Sequence, residues 1–382
     1  MKSGAFNIGK IFGIQFRLHY SWFIIFTLVT VFLSWQVFPF SLTEQPQVVY
    51  WIMGVVTSLL FFASVLAHEL AHSLIGRANG IPIKSITLFI FGGAAMMTRE
   101  ATRASDELKM AIAGPVSSLL IAAIFWIIYA SSISFGPSNG VVNQLALMAY
   151  WLAYINVVLA VFNLFPGFPL DGGRILRSLI WHFSGNYMRA TRIATQAGRV
   201  IGYLFIAGGI LLILVDGNLL SGIWLVFIGW FLADTAKASY RQAQLQDVLK
   251  GFTASQVMTS DCPVVPGETT VSQLMQEYAA AGSRCFLVAE QGRVEAFISL
   301  RNINSVAWRD RDNTRLRDIA VPLEKVKAAY PEQDVLSIVQ WMNESGLDQM
   351  PVINNGRVVG LITLDNVIRF VTSRSPLPIS PR

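Results

Sequence analysis

Charge is what this sequence has least of. Asp, Glu, Lys and Arg make up 14% of its 382 residues, against about a quarter in an ordinary soluble domain. The shortage is local: none of the four occurs from Leu18 to Thr43, from Gln45 to Ala67, or across the 61 residues from Met110 to Leu170. Runs so long and apolar exclude a soluble core, and each can cross a bilayer at roughly 20 residues per helix. Cysteine is scarce too. Two residues, Cys262 and Cys285, exclude a disulfide-built scaffold and have no metal-site spacing; they are expected to be reduced thiols of a cytoplasmic domain. No basic cluster interleaved with aromatics occurs, so the net charge of +6 gives no nucleic-acid partner. The first apolar run, Tyr20 to Phe38, is followed by further runs rather than a secreted domain, which argues against a removable signal peptide.

What is present divides the chain in two. Six spans are predicted, at about 19–38, 50–76, 109–131, 145–165, 200–215 and 219–235. The stretches Pro39–Val49, Ser132–Gln144 and Asp216–Ser221 hold no Lys or Arg, whereas the alternate connections hold five each: Arg77, Lys84, Arg99, Arg103 and Lys109, then Arg174, Arg177, Arg189, Arg192 and Arg199. Basic loops stay on the cytoplasmic side, so both termini are expected in the cytoplasm. Charges return at soluble density from about Lys237. The expected layout is a polytopic α-helical membrane domain of about six transmembrane helices (1–240), a linker (241–250), a cytoplasmic α/β domain (251–373) and a disordered tail (374–382). Between spans two and three, Ile86–Met97 reads ITLFIFGGAAMM, too short to span as a helix. A β-hairpin or re-entrant segment fits, with its backbone paired to protein or peptide rather than lipid.

Near the cytoplasmic end of span two stands His68-Glu69-Leu70-Ala71-His72. Positions four apart share a helical face, so both histidines can bind one metal ion, and Glu69 beside them can serve as a base toward water. The competing reading is a chance match to a short pattern. An ionisable residue inside a span costs about 2.5–3.5 kcal/mol on insertion scales, and three together favour function over chance. Catalytic zinc takes three protein ligands and keeps a position open. His19 opens the first span and His182 follows the fourth without a supporting motif. Asp171 is the better candidate: it is the first charge after the 61-residue run, in Asn163-Leu-Phe-Pro-Gly-Phe-Pro-Leu-Asp171-Gly-Gly-Arg174, at the same expected membrane depth as the histidines. A polar helix-ending turn would equally explain the prolines and glycines.

HELAH within a span, followed by N-x-x-P-x-x-P-x-D-G-G at the end of a later one, resembles the site-2 protease family of intramembrane zinc metalloproteases. The resemblance covers roughly residues 10–240 and includes Phe91–Gly93, Glu100 and Ala113-Gly114-Pro115. It implies zinc on His68, His72 and Asp171, with Glu69 as general base and acid. It also implies that Asn163 holds the substrate or the oxyanion, the alternative being a helix-end hydrogen bond. The implied substrate is a membrane-spanning protein in the lipid bilayer, and the layout fits a prokaryotic plasma (inner) membrane. An unwound substrate segment is expected to pair as a strand along Ile86–Met97. A channel or transporter that uses the same four residues as an ion pathway is the rival class, although the spans show none of the repeats usual in transporters.

Residues 251–373 contain a repeat at an offset of 64: Val271/Val335, Gly282/Gly346, Val288/Val352, Gly292-Arg293-Val294/Gly356-Arg357-Val358, Ile298/Ile362 and Asn302/Asn366. Each copy reads helix, strand, Gly turn, strand, helix, and the whole resembles a tandem pair of CBS domains. The resemblance implies an adenine nucleotide between the repeats and a homodimer through the pair. Asn302 after Ser299 and Asn366 after Thr363 replace the acid expected to grip a ribose, with Asp365 one position early. A docking or dimerisation module without ligand is the alternative.

Overall fold

The uncharged runs become long helices. In a computed structural model, residues 4–374 are described apart from 44, 91, 98–100, 135–139, 261, 278–284, 291, 326, 346 and 348. Phe91 and Glu100 of the protease resemblance, Gly282 and Gly346 of the repeat, and the tail beyond Arg374 lie outside the described residues. The chain divides into two units, Met1–Ala243 and Gln244–Arg382.

The first unit opens with a hairpin that the sequence reading did not foresee, β1 (Ala5–Ile11) and β2 (Ile14–His19). It turns at Phe12-Gly13, both at positive φ (49° and 78°). Helix α1 (Ser21–Phe32) runs through a π-turn into α2 (Phe38–Ser41), and α3 spans Gln47–Ala78. Strands β3 (Ile83–Phe89) and β4 (Gly92–Met97) realise the expected hairpin. β2 pairs in parallel with β3, and β3 antiparallel with β4, which gives a sheet ordered β1-β2-β3-β4. Ile14, Phe16, Ile83 and Ile86 pack its inner face on Leu66 and Leu70 of α3. The sheet therefore lies beside the helical turn that carries His68 and His72.

Helices α4 (Ala104–Ser134), α5 (Gly140–Asn163), α6 (Asp171–Ser184), α7 (Tyr187–Asp216) and α8 (Leu219–Leu249) follow. Among the described residues, six helices are long and apolar enough to cross a membrane: Ser21–Ser41, Gln47–Ala78, Ala104–Ser134, Gly140–Asn163, Tyr187–Asp216 and Leu219–Leu249. Several outrun their uncharged cores. α4 begins with Asp106 and Glu107 in its first turn, where acids complement the helix dipole, and α8 continues to Leu249 through most of the expected linker. α6 is amphipathic and short; it arises from a segment read only as a charged connection.

In the second unit, α9 (Ala254–Val257), β5 (Val264–Pro266) and α10 (Val271–Glu277) precede β6 (Cys285–Glu290), β7 (Arg293–Ser299) and α11 (Leu300–Ser305). α12 (Leu316–Ile319), β8 (Val321–Pro322) and α13 (Val335–Ser345) lead to β9 (Gln349–Asn354), β10 (Arg357–Thr363) and α14 (Leu364–Arg374). β6 and β7 start and stop 64 residues before β9 and β10, the offset of the sequence repeat. The reduced-thiol expectation fails for Cys262, which is disulfide-bonded; among the described residues no cysteine is free. The cause is register. β5 and β6 run in parallel with Val264 opposite Leu287, and two residues earlier the same alignment sets position 262 beside position 285.

Candidate active site

The two imidazoles of α3 are buried, and α4 fixes their orientation. His72 Nδ1 lies 2.6 Å from the carbonyl oxygen of Met110. A carbonyl only accepts, so Nδ1 carries the proton and Nε2 keeps its lone pair. His68 Nδ1 lies 2.8 Å from Ser118 Oγ; donation to that hydroxyl leaves its Nε2 equally bare. Packing of α3 on α4 thus aims the two Nε2 atoms at one point, that of His72 unprotonated and that of His68 likewise when its Nδ1 donates to Ser118.

The third member of the cluster comes from far along the chain. After α5 the backbone folds back closely enough that a Cβ on Gly172 would stand 2.2 Å from the Leu164 carbonyl oxygen, and one on Gly173 2.3 Å from the Phe168 nitrogen. The two glycines let this loop close, and it delivers Asp171 as the first residue of α6. Asp171 Oδ2 lies 3.1 Å from each Nε2, and the two nitrogens are 3.2 Å apart. Bonds of about 2.0–2.1 Å around a tetrahedral zinc give ligand-to-ligand edges of about 3.3 Å, so this triangle fits one face of that tetrahedron. Gly114 supplies the room. A Cβ there would lie 2.1 Å from His72 Nε2 and 2.6 Å from His68 Nε2. With no proton on either Nε2, the three facing atoms are all electron-pair donors, the set a cation needs.

Glu69 stands outside the ligand triangle and lines a cavity of about 230 Å³ with His72, Asp171, Arg174 and the β4 residues Gly93, Ala94 and Ala95. A Cβ on Gly93 would lie 2.3 Å from Glu69 Cγ, so glycine lets the β4 backbone reach the acid. β4 is the outer strand of its sheet. Asn163 ends α5, half-buried; it is not among the cavity-lining residues. His19 bonds Ser21 at 2.7 Å and His182 is exposed on α6; neither joins the site. Sequence reasoning missed the supporting groups on α4, the Met110 carbonyl and Ser118, because nothing in α4 marks which of its turns faces α3.

The model of peptidase family M50 matches residues 56–149 and 131–206. Rip3 of Mycobacterium tuberculosis, which carries a zinc metalloprotease name, is 34% identical over 371 residues, 96% of this chain and 93% of that protein. The chain belongs to peptidase family M50, the site-2 protease family. It is a zinc metalloprotease and an integral membrane protein. The zinc metalloprotease MJ0392 of Methanocaldococcus jannaschii is 28% identical over 368 residues, 96% of each chain. The solved site-2 protease from that archaeon is 30% identical, covering 62% of this chain and 95% of its own, with a TM-score of 0.43. The CBS domain model matches residues 254–308 and 316–373, which makes the C-terminal unit a tandem CBS pair on this family's protease domain.

Proposed function

We propose that the chain hydrolyses peptide bonds of membrane-spanning proteins within the bilayer, with His68, His72 and Asp171 as zinc ligands and Glu69 as general base and acid. The observation that carries this reading is the triangle of His68 Nε2, His72 Nε2 and Asp171 Oδ2 with edges of 3.1–3.2 Å, drawn from two segments a hundred residues apart. Zinc, when bound, lowers the pKa of a coordinated water toward about 7 and polarises the scissile carbonyl. Glu69 takes the proton of the attacking water and delivers it to the leaving amine. Asn163, whose side chain has no hydrogen-bond partner among the described residues, is assigned to the substrate backbone or the oxyanion.

A substrate helix has its amides satisfied internally and offers its carbonyls poorly to attack. β4, with one edge unpaired in its sheet, gives an unwound substrate segment a strand to join, so that the backbone groups freed from the helix are satisfied again. The distribution of Lys and Arg supports cytoplasmic termini in a prokaryotic plasma membrane. The CBS pair is assigned a regulatory role through an adenine nucleotide between its repeats, with dimerisation through the same domain. The Thr363 hydroxyl already accepts from the Asn366 amide at 3.1 Å, so a ribose would compete with a helix cap.

The test is Glu69→Gln. This variant should keep one zinc per chain, lose cleavage and retain bound substrates for identification by mass spectrometry. Retained peptidase activity, or ion flux across liposomes with no peptidase activity in the parent protein, would sink the proposal.

A further inference from the structure

Two arginines lie three residues apart on α6, and the fold treats them oppositely. Arg177 is buried, with Nε 2.7 Å from Glu107 and Nη1 2.6 Å from the Tyr187 hydroxyl. Arg174, half-buried, has no hydrogen bond or ion pair with any described residue, and it lines the cavity that holds Glu69 and Asp171. Packing does not account for a cation left there. One helical turn separates it from Asp171, about 4.5 Å along the axis, so its long side chain works next to the metal ligands without being one.

The rest of the cavity wall suggests what it meets. Gly93, Ala94 and Ala95 of β4 border the same space, and their small side chains admit another backbone. A peptide strand paired to β4 satisfies the amides and carbonyls on one edge. The groups of its other edge alternate with these, so carbonyls on one edge recur about every 6.7 Å. They point away from β4 across the cavity, where each needs a donor. A guanidinium has five donors in a planar fork and no acceptor, which suits carbonyl oxygens.

We infer that Arg174 is a substrate-binding residue whose guanidinium donates to a substrate main-chain carbonyl flanking the scissile bond, on the edge turned away from β4. This inference rests on the reading that substrate joins β4 as a strand.

The test uses the full-length, zinc-loaded protein in detergent micelles and two zinc-directed probes, acetohydroxamate and an uncharged tripeptide hydroxamate. A third probe replaces one flanking amide of the tripeptide by an alkene, removing its carbonyl oxygen. The tripeptide should bind the parent protein well above acetohydroxamate. Arg174→Gln should weaken the tripeptide about tenfold, the scale of a charge-assisted hydrogen bond, with acetohydroxamate affinity and zinc content unchanged. Arg174→Lys should fall between, and the alkene probe should bind the parent protein and Arg174→Gln alike. Equal weakening of all probes, or no weakening of any, would overturn the inference. A tripeptide that binds the parent protein no better than acetohydroxamate would instead overturn the strand reading beneath it.

Discussion

Arg177 of α6 and Glu107 of α4 form an ion pair inside the protease unit, with Nε donating to Oε1 at 2.7 Å and the glutamate 1% exposed. The guanidinium also sits 4.8 Å from the ring centres of Phe168 and Tyr187. Both ends bear on the cluster of His68, His72 and Asp171. Glu107 lies one turn before Met110, whose carbonyl orients His72, and Phe168 lies in the loop that delivers Asp171. The pair thus ties the helix that orients the imidazoles to the helix that begins with the carboxylate.

Removing one partner leaves the other charged and buried, which costs about 3–5 kcal/mol. Glu107→Ala is therefore expected to lower the melting temperature in detergent and weaken zinc binding. The double variant Glu107→Leu with Arg177→Leu should melt higher than either single variant, since no unpaired charge remains. Thermal unfolding followed by tryptophan fluorescence checks both statements, and equal losses in the singles and the double would refute the account.

Gly114 is expected to govern metal access. Gly114→Ala places a methyl group 2.1 Å from the bare nitrogen of His72, where the imidazoles must turn aside. Alanine is the better helix former by about 0.8–1.0 kcal/mol, so helix content should hold while bound zinc falls to background. Full zinc occupancy in this variant would show that the space in front of the two nitrogens is not what the geometry requires.

The parts of this architecture that were legible in sequence are those set by local period or by cost. An uncharged run of 61 residues leaves little choice but membrane, and a four-residue spacing of histidines fixes one helical face. The offset of 64 carries over to the strand ends because each repeat folds on its own local pattern. What escaped depends on which surfaces meet. Ser118 is one of several serines on α4, and its role exists because α3 packs there. The α6 segment shows in sequence only as a basic connection between spans, yet Arg177 is buried in an ion pair. The β1–β2 hairpin gave no signal because it is stabilised by parallel pairing with a strand some seventy residues later. The disulfide at Cys262 escaped because only the β5–β6 register brings positions 262 and 285 together, whatever the expected compartment.

Helix α7 is expected to hold the Asp171 loop in place through a glycine. A Cβ on Gly198 would lie 2.0 Å from the Phe168 carbonyl oxygen, and one on Gly167 2.4 Å from the Gly198 Cα. Gly209 makes a similar close contact elsewhere, 2.6 Å from the Gly222 carbonyl oxygen between α7 and α8. Both Gly198→Ala and Gly209→Ala should lower the melting temperature, since backbone cannot yield as a side chain end can. Zinc should be lost in Gly198→Ala alone. Loss of zinc in both would mean that general loosening, rather than displacement of the loop, explains the effect.

Ser118 offers the finest test of how the protein prepares its ligands. Its hydroxyl is the partner of His68 Nδ1 at 2.8 Å, and without it the imidazole is free to carry its proton on Nε2, the atom that faces His72 and Asp171. Outer partners of this kind are worth about 10–100-fold in metal affinity, so Ser118→Ala should raise the zinc dissociation constant by that factor with little change in melting temperature. Ser132 on the same helix bonds only its own backbone, the Ile128 carbonyl at 2.8 Å, and Ser132→Ala should leave zinc affinity unchanged. Competition with a chelator measures both constants. Equal constants for the two variants would mean that α3 alone sets the histidine tautomer, and that α4 contributes space through Gly114 but no orientation through Ser118.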